Sequence, residues 1–236
     1  ALVGGATVPA DLAAQWAAAG VPLTQGYGLT EAAPNVLCLP ASDLGRHAGA
    51  VGRPYPHVDV CVADPETGLV LDGEATGELW VRGPSVFSGY LNDDAATARV
   101  LAGEWLRTGD IVHRDRGGVY RIVDRLKDIF ISGGENVAPA EVERALALHP
   151  AIAEVAVVGV PDEVWGERGV AFVVRADGAA LGEDEVIAHA RAELAGYKVP
   201  VRVAFVEALP RSTIEKLARS RLRAAAAELM EETTHG

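Results

Sequence analysis

The first residues of the chain alternate between apolar runs and a helical segment. Apolar runs at residues 2–5 and 21–25 flank residues 9–19, where a proline stands in the first turn of a predicted helix. A strand–helix–strand order predicts two parallel strands joined by a crossover helix. We therefore expect this segment to belong to a larger sheet whose other strands lie upstream of residue 1.

Between residues 49 and 124 the pattern changes to short alternating segments. Apolar positions with a period of two are typical of half-buried strands, and Gly- and Asp-rich turns separate them. The sequence predicts a small antiparallel β-barrel or sandwich here, with one helix at residues 93–101. The predicted strands are residues 58–63, 77–82, 110–113 and 119–123, and the predicted hairpin turns are residues 64–68 and 115–118.

Helices and strands alternate in the remainder of the chain, from residue 125 to residue 236. A Gly-rich loop at residues 132–136 precedes them, and one predicted helix carries an apolar stripe made of Val186, Ile187, Ala190 and Leu194. The predicted helices are residues 139–148, 183–194 and 217–229, and the predicted strands are residues 154–160, 169–175 and 202–207. This order is typical of a compact α+β module.

Together the three patterns predict an α/β and α+β protein. Residues 1–124 form the end of a large N-terminal domain, in which a βαβ piece is followed by the small antiparallel β-barrel at residues 49–124. Residues 125–128 separate it from a compact C-terminal α+β domain at residues 129–236.

Composition narrows the classes of function. The net charge of −12 disfavours nonspecific binding to nucleic acids or anionic membranes, because phosphates would be repelled. Cys38 and Cys61 fit no metal-ligand spacing and are interpreted as reduced thiols. There is no signal peptide and no apolar run of about 18 residues, so we expect a cytoplasmic protein.

The use of cations is uneven. Of 21 cationic residues, 18 are Arg and only three are Lys, at positions 127, 198 and 216. Chance on a GC-rich coding background would explain this pattern, and so would a need for a compact, mobile ammonium at some of these sites. All three lysines fall inside the motifs described next.

Six short segments stand out along the chain: residues 4–6, 26–31, 77–90, 105–110, 124–136 and 197–216. Five of them contain residue types suited to nucleotide chemistry, whereas residues 77–90 are interpreted as a strand and a tight return with no chemical role. In this order the six segments resemble the signature blocks of the adenylate-forming superfamily, which comprises acyl-CoA synthetases, peptide-synthetase adenylation domains and luciferases. The resemblance covers essentially the whole chain and implies the C-terminal half of such an enzyme. Residues 109–166 look most like bacterial fatty-acyl-CoA synthetases.

The resemblance implies that the first two segments, residues 4–6 and 26–31, contact adenine. Glycines let a backbone approach a flat ligand closely, and Gly4, Gly5 and Ala6 would lie along the base. Tyr27, followed by Gly28, would stack on the same base. From the residues alone, a common strand-ending turn is the favoured interpretation of residues 4–6. A Gly-rich turn also explains the glycines of residues 26–31, but not Thr30 and Glu31 after them.

Polar side chains in the next segments would hold the rest of ATP. By resemblance, Thr30 binds a phosphate oxygen and Glu31 holds Mg²⁺, both as catalytic residues. Asp110 would accept hydrogen bonds from two ribose hydroxyls, and Arg125 would contact the ribose or a phosphate. The alternative for Asp110 is an ordinary Gly-Asp turn between strands.

The resemblance also implies a hinge within residues 125–128. Lys127 occupies the hinge position, about which the C-terminal domain rotates between two half-reactions. Gly133 and Gly134 would reach the active site in the second state and leave room for the thiol arm of CoA. A solvated charged linker is the alternative for this segment.

The final segment contains the predicted catalytic lysine, Lys216. It would contact the substrate carboxylate and the α-phosphate during adenylation. The family usually has Thr-Gly before this lysine, whereas this chain has Ile214 and Glu215. An added side chain and a negative charge put the reach of Lys216 in doubt. Lys198 is interpreted as a brace for the same loop.

The implied reaction joins a fatty acid or related carboxylate to CoA at the expense of ATP. The carboxylate attacks the α-phosphorus, acyl-AMP forms with release of pyrophosphate, and the CoA thiol then displaces AMP. ATP, CoA and Mg²⁺ are the expected substrates and cofactor, and Ala32, Ala33 and Pro34 would line one wall of the acyl site. The family's phosphate loop does not occur in this sequence, so we expect it in a missing N-terminal portion of the same enzyme.

Two other functions fit the same residues. A non-catalytic remnant could bind a nucleotide or a protein partner, and Glu215 slightly favours this alternative. An enzyme could instead transfer the acyl group to a carrier protein, although the Ser-Gly-Gly-Glu-Asn loop at residues 132–136 favours CoA.

Overall fold

A computed structural model describes residues 1–5, 8, 10–211 and 217–234. The chain divides into two compact units, Ala1–Leu126 and Lys127–Gly236. Ala6 and Lys216 from the predicted site lie outside the described residues. Each unit is described by itself below.

The first unit begins with a four-stranded sheet. Its elements are β1 (Leu2–Val3), α1 (Ala10–Ala18), β2 (Thr24–Leu29), β3 (Ala33–Leu39), α2 (Ala41–Leu44) and β4 (Arg53–Pro54). The strands β1 and β2 are parallel, and β3 and β4 continue the sheet in antiparallel pairs. The predicted parallel pair with a crossover helix is therefore confirmed.

The bounds of the second strand were predicted wrongly. The strand lies at Thr24–Leu29 and not at residues 21–25, so the segment read as a Gly-rich turn is part of the strand. Gly28 makes this possible, because a Cβ there would lie 2.4 Å from the carbonyl carbon of Pro34 on β3. Only a glycine fits where the two strands come this close.

A six-stranded antiparallel sheet forms the rest of the first unit. Its elements are β5 (Asp59–Ala63), β6 (Val70–Leu71), β7 (Ala75–Arg82), α3 (Asp94–Val100), β8 (Leu101–Ala102), β9 (Trp105–Arg114) and β10 (Tyr120–Arg125). The strand order is β10-β9-β7-β5-β6, with β8 paired to β9. The order is an open path, so the predicted barrel takes the form of a half-barrel, which packs around a core that includes Val62, Leu79, Val81, Leu106 and Val112.

The strand β9, at Trp105–Arg114, begins earlier than the strand predicted at residues 110–113. Residues 105–110 lie within this strand, so Asp110 is not part of a turn between strands. Gly109 has a φ of +70°, and the pairing of β7 with β9 shifts register between Glu78 and Trp80. A bulge of this kind keeps a Gly-Asp pair inside a strand and re-aims its side chains.

The second unit surrounds a five-stranded sheet with helices. Its elements are β11 (Phe130–Ser132), β12 (Glu135–Val137), α4 (Pro139–Leu146), β13 (Ile152–Asp162), β14 (Gly166–Arg175), α5 (Glu183–Glu193), β15 (Arg202–Phe205) and α6 (Arg219–Thr234). The order is β12-β11-β14-β13, with β15 parallel to β14. The apolar stripe predicted on α5 is confirmed, since Val186 and Ala190 are fully buried in the main core.

The predicted Gly-rich loop is a tight hairpin. Strands β11 and β12 pair from Phe130–Val137 to Ser132–Glu135, and Gly133 and Gly134 form the turn between them. Their φ angles of +61° and +86° belong to the left-handed region that such two-residue turns require. The Gly-Gly pair therefore sets the shape of this loop.

Phe130 covers a glycine pair at the centre of the second unit. Gly159 on β13 and Gly169 on β14 are directly opposite each other. A Cβ on Gly159 would lie 2.5 Å from Cβ of Phe130, and one on Gly169 would lie 3.2 Å from its Cζ. The buried ring occupies the space that two side chains would otherwise fill.

Two further observations concern the described part of the chain. Cys38 is half-buried and Cys61 is buried, and neither is in a disulfide. In that same part, no helix combines the length and apolar character that crossing a bilayer requires.

We expect Gly159→Ala to destabilise the second unit by about 1–3 kcal/mol, because the new methyl group would push Phe130 out of its position. Urea unfolding of the chain measures this change. Gly196→Ala is the matched control, since a Cβ at Gly196 meets no atom within 4 Å. Equal stability of the two variants would show that Phe130 does not depend on the glycine pair.

Candidate functional site

Three predicted site residues meet at one end of the first unit. The hydroxyl of Tyr27 on β2 donates a hydrogen bond of 2.5 Å to Oδ2 of Asp110 on β9. On β10, Nε of Arg125 lies 3.4 Å from Oδ1 of the same carboxylate. Asp110 is buried, whereas about half of the Arg125 side chain is exposed. The carboxylate thus has one partner on each oxygen and retains further lone pairs for a ligand.

Strand pairing places this cluster. Asp110 and Arg125 are direct partners in the β9–β10 ladder, after a register shift between Ile122 and Asp124. The amide of Leu126 donates to the carbonyl of Gly109 over 2.8 Å, which extends the contact of the two segments past the ladder. The position of Arg125 beside Asp110 therefore follows from backbone geometry as well as from charge.

Burial dominates the electrostatics of the cluster. Loss of hydration raises the pKa of Asp110, and the hydrogen bond from Tyr27 and the charge of Arg125 oppose that rise. The pKa of Tyr27 is raised strongly, first by burial and then by the charge of Asp110. Tyr27 consequently remains a protonated donor, so it can hold Asp110 without losing its own proton.

Sequence reasoning missed the support beneath Asp110. Glu78 on β7 is buried, and it accepts hydrogen bonds from the amide of Gly109 at 2.9 Å and from the indole of Trp80 at 2.8 Å. Residues 77–83 were assigned no chemistry. A glutamate placed inside a strand whose inward positions are apolar is the signal that could have found it.

Thr30 and Glu31 lie in a short 3₁₀ turn between β2 and β3. Thr30 is exposed, and Glu31 is half-buried. The residue that ends the turn, Ala33, has a φ of +62°, which a non-glycine residue adopts only at a cost. Of the predicted acyl-site wall, Ala33 and Pro34 are exposed, whereas Ala32 is fully buried in the core and cannot face a substrate.

The carboxylate oxygens of Glu31 are suitable ligands for Mg²⁺. Oε1 of Glu31 accepts a hydrogen bond of 2.7 Å from Tyr90, and Oε2 has no hydrogen-bond partner among the residues that the structure describes. Over the same residues, no group of three acidic, His or Cys side chains could hold a metal ion. One carboxylate together with substrate phosphates is a usual way for proteins to bind Mg²⁺.

The glycines predicted to face adenine lie next to β2. A Cβ on Gly4 would lie 3.2 Å from the carbonyl oxygen of Gly26, so any larger residue would require a small shift of this backbone. Gly5 has a φ of +86° and open space around it. Beneath them the buried Gln25 accepts a hydrogen bond of 3.0 Å from the amide of Val8, a contact that sequence reasoning missed.

In the second unit, the Gly-Gly hairpin lies against an aromatic ring. A Cβ on Gly133 would lie 2.7 Å from Cε3 of Trp165, and the amide of Gly133 donates to the carbonyl of Trp165 over 2.8 Å. Gly134 has open space. Trp165 is 43% exposed, beside the 85% exposed Val164. Sequence reasoning missed this apolar surface, because the two segments are far apart in the chain.

The start of the second unit is tied to the helix α6. Asp128 is buried and lies 2.7 Å from Nη2 of Arg223 and 3.7 Å from Nε of Arg219. Arg223 also donates to the carbonyl of Lys127 over 3.1 Å, and Arg219 contacts Glu143 at 2.8 Å. The backbone of the predicted hinge residue is thus in direct contact with α6.

Lys216 lies outside the described residues, but its neighbours do not. Arg211 and Leu217 form an antiparallel bridge, and the amide of Ala218 donates to the carbonyl of Pro210 over 2.8 Å. Lys198 forms two contacts with Glu141 on α4, at 2.6 and 2.7 Å; its interpretation as a brace for the loop of Lys216 stays a prediction.

Comparison with known protein families matches both parts of the chain. Residues 1–91 match the model of the AMP-binding enzyme family, and residues 141–216 match the AMP-binding enzyme C-terminal domain. A feruloyl-CoA synthase from Amycolatopsis is 46% identical over 222 residues, which is 94% of this chain and 45% of that protein. A long-chain-fatty-acid–CoA ligase from Yersinia pestis is 45% identical over 93% of this chain and 39% of the ligase.

Solved structures give the same result. ATP-bound MatB from Rhodopseudomonas palustris superimposes with a TM-score of 0.88 at 37% identity, over 95% of this chain and 44% of that one. The o-succinylbenzoate CoA synthetase of Bacillus subtilis, in complex with its acyl-adenylate intermediate, has a TM-score of 0.87 at 33% identity, over 94% of this chain and 45% of the synthetase. The chain spans less than half the length of these relatives, and it belongs to the family of AMP-binding, adenylate-forming enzymes.

Proposed function

We propose that this chain forms the nucleotide-binding and C-terminal part of an ATP-dependent acyl-CoA synthetase. The observation that carries this proposal is the buried carboxylate of Asp110, held by Tyr27 and Arg125. A dry, pre-oriented carboxylate is suited to accept hydrogen bonds from the two hydroxyls of a ribose. A buried carboxylate is costly unless it is paired and hydrogen-bonded, and Tyr27 and Arg125 supply those partners.

In the adenylation step, the first unit positions ATP. Asp110 accepts the ribose hydroxyls, the ring of Tyr27 packs on the base along the backbone of Gly4 and Gly5, and Arg125 contacts the ribose or a phosphate. Thr30 donates to a phosphate oxygen, and Glu31 would hold Mg²⁺, which would neutralise phosphate charge when bound. The substrate carboxylate attacks the α-phosphorus of ATP oriented in this way, and pyrophosphate leaves.

The second unit would serve both half-reactions in turn. Lys216 stabilises the substrate carboxylate and the α-phosphate during adenylation. Rotation about Lys127 then replaces it with the hairpin of Gly133 and Gly134. The exposed face of Trp165 beside Gly133 offers an apolar wall for the thiol arm of CoA. The sulfur attacks the acyl carbonyl carbon, and AMP leaves with the electron pair of the broken C–O bond.

A longer polypeptide is needed for this cycle. The curated relatives exceed this chain in length by more than a factor of two, and no phosphate loop occurs in the printed sequence. We infer that the complete enzyme contains that loop upstream and works in the cytoplasm, where ATP and CoA are available. The relatives act on different acids, so a fatty acid or a related carboxylate is the substrate class.

We expect Asp110→Asn, in the complete enzyme, to lower the rate of ATP–pyrophosphate exchange by about 10- to 100-fold, because the neutral amide forms weaker hydrogen bonds with the ribose. A panel of fatty and aryl acids in the same assay identifies the substrate. Unchanged exchange in the variant would exclude Asp110 as the ribose ligand.

Asp110 should also make the free energy of unfolding depend on pH. Because the folded pKa is raised above the ordinary 3.8, ionised Asp110 destabilises the fold at neutral pH, and that cost disappears as pH falls through the raised value. Relative to Asp110→Asn, the parent chain should gain stability in urea unfolding between pH 8 and pH 4. Asp64→Asn is the control, since hydrogen bonds from Thr67 lower the pKa of Asp64 below the ordinary 3.8; its contribution to stability is lost mainly below that pH, so it should not produce the gain between pH 8 and pH 4.

Separate assays of the half-reactions distinguish the roles of Lys216 and the hairpin. Lys216→Ala should slow acyl-AMP formation from the free acid by about 10²–10³-fold and leave thioester formation from supplied acyl-AMP intact. Gly133→Ala should do the reverse, because its methyl group collides with Trp165. Gly196→Ala is the control for both, and equal loss in the two steps would contradict the division of labour.

Replacement of the hinge residue tests the rotation. Lys127→Pro fixes φ near −65° and should retain one half-reaction while it abolishes the other. Lys127→Ala keeps the backbone free and should retain both. Two normal half-reactions in the proline variant would exclude rotation at this position.

A further inference from the structure

Glu31 is held at two points by one loop of the first unit. The amide of Phe87 donates a hydrogen bond of 2.8 Å to the carbonyl oxygen of Glu31. The hydroxyl of Tyr90 donates one of 2.7 Å to Oε1 of its carboxylate. The same short segment therefore fixes both the backbone and the side chain of Glu31, although it lies more than fifty residues later in the chain.

The ring of Tyr90 is itself fixed in place. It contacts Phe87 edge-to-face, with ring centroids 4.9 Å apart and an interplanar angle of 74°. Its hydroxyl therefore faces the carboxylate of Glu31 as a hydrogen-bond donor in a fixed direction.

A capped helix anchors the loop from behind. The amide of Tyr90 donates to Oγ1 of Thr97 over 2.9 Å, and this hydroxyl donates to the carbonyl of Asp93 over 2.9 Å. Asp93 caps α3, since its carboxylate accepts a hydrogen bond from Ala96. Gly89 has a φ of +144°, and a Cβ there would lie 2.9 Å from Thr97. These contacts leave the backbone of Tyr90 little freedom.

We propose that Tyr90 is a positioning residue that aims the free oxygen of Glu31 at a divalent cation bound by the nucleotide phosphates. This inference rests on the proposed function, in which Glu31 holds that cation. One oxygen of Glu31 is occupied by Tyr90, and within the described residues the other has no hydrogen-bond partner. A ligand fixed in this way loses less conformational freedom when the metal binds.

The test uses Tyr90→Phe in the complete enzyme, because phenylalanine keeps the ring contact with Phe87 and removes only the hydroxyl. We expect Mn²⁺, titrated by electron paramagnetic resonance in the presence of α,β-methylene-ATP, to bind about 10-fold more weakly. Adenylation should require a correspondingly higher Mg²⁺ concentration and reach nearly the parental rate at saturation. Thermal unfolding should be unchanged within the scatter of surface variants.

Two further variants serve as the control for Tyr90→Phe and as the test of Glu31 itself. Tyr120→Phe is the matched control, since this buried tyrosine lies in the same unit and its hydroxyl has no hydrogen bond among the described residues; its Mn²⁺ affinity should equal the parental value. Glu31→Gln should weaken Mn²⁺ binding, and excess Mg²⁺ should not restore its rate of adenylation. If Glu31→Gln has no effect, the assignment of Glu31 fails, whereas parental Mn²⁺ affinity in Tyr90→Phe alone overturns the role of Tyr90.

Discussion

The buried carboxylate of Asp110 is a strong constraint on the first unit, because burial in a protein strongly disfavours an ionised side chain. Tyr27 from β2 and Arg125 from β10 meet it on β9, so two different sheets contribute to its stabilisation. Glu78, also buried, holds the backbone just before it. The hydrogen bond from Tyr27 to Asp110 therefore links the four-stranded sheet to the six-stranded sheet at the buried carboxylate.

A consequence for ligand binding follows from this arrangement. The dehydration of Asp110 occurs when the chain folds and not when a nucleotide arrives, so part of the cost of binding is moved into folding. Proteins commonly accept lower stability at a site that must be pre-organised. The strained backbone at Ala33, directly after Glu31, is a second local cost in the same unit.

Patterns along the chain predicted what depends on near neighbours. Period-two alternation found the strands of the half-barrel, and period-3.6 spacing found the buried face of α5 that contains Val186 and Ala190. Strand bounds failed where glycines allow close packing, because Gly28 and Gly109 are typical of turns in sequence but lie inside strands here. Their function depends on an opposite strand that local patterns do not specify.

The same limit applies to the site. The order of motifs selected Tyr27, Asp110 and Arg125, and the fold brings these three together. The sequence predicted no role for Glu78, Tyr90 or Trp165. Each of them contacts a partner at least 31 residues away in the chain, and sequence spacing does not predict contacts over that distance. The roles of Gly133, Gly134, Lys127 and Lys216 remain predictions that the half-reactions test.

The two turn glycines of the β11–β12 hairpin differ in how they should vary among natural sequences. Within the second unit, Gly134 meets no steric demand beyond its left-handed backbone, so the fold itself would tolerate Asn or Asp there with modest strain. At Gly133 the ring of Trp165 adds a steric demand to the same backbone. The fold therefore links position 133 to position 165, so a side chain at position 133 requires a smaller residue at position 165, whereas any demand on position 134 beyond its backbone must come from the ligand.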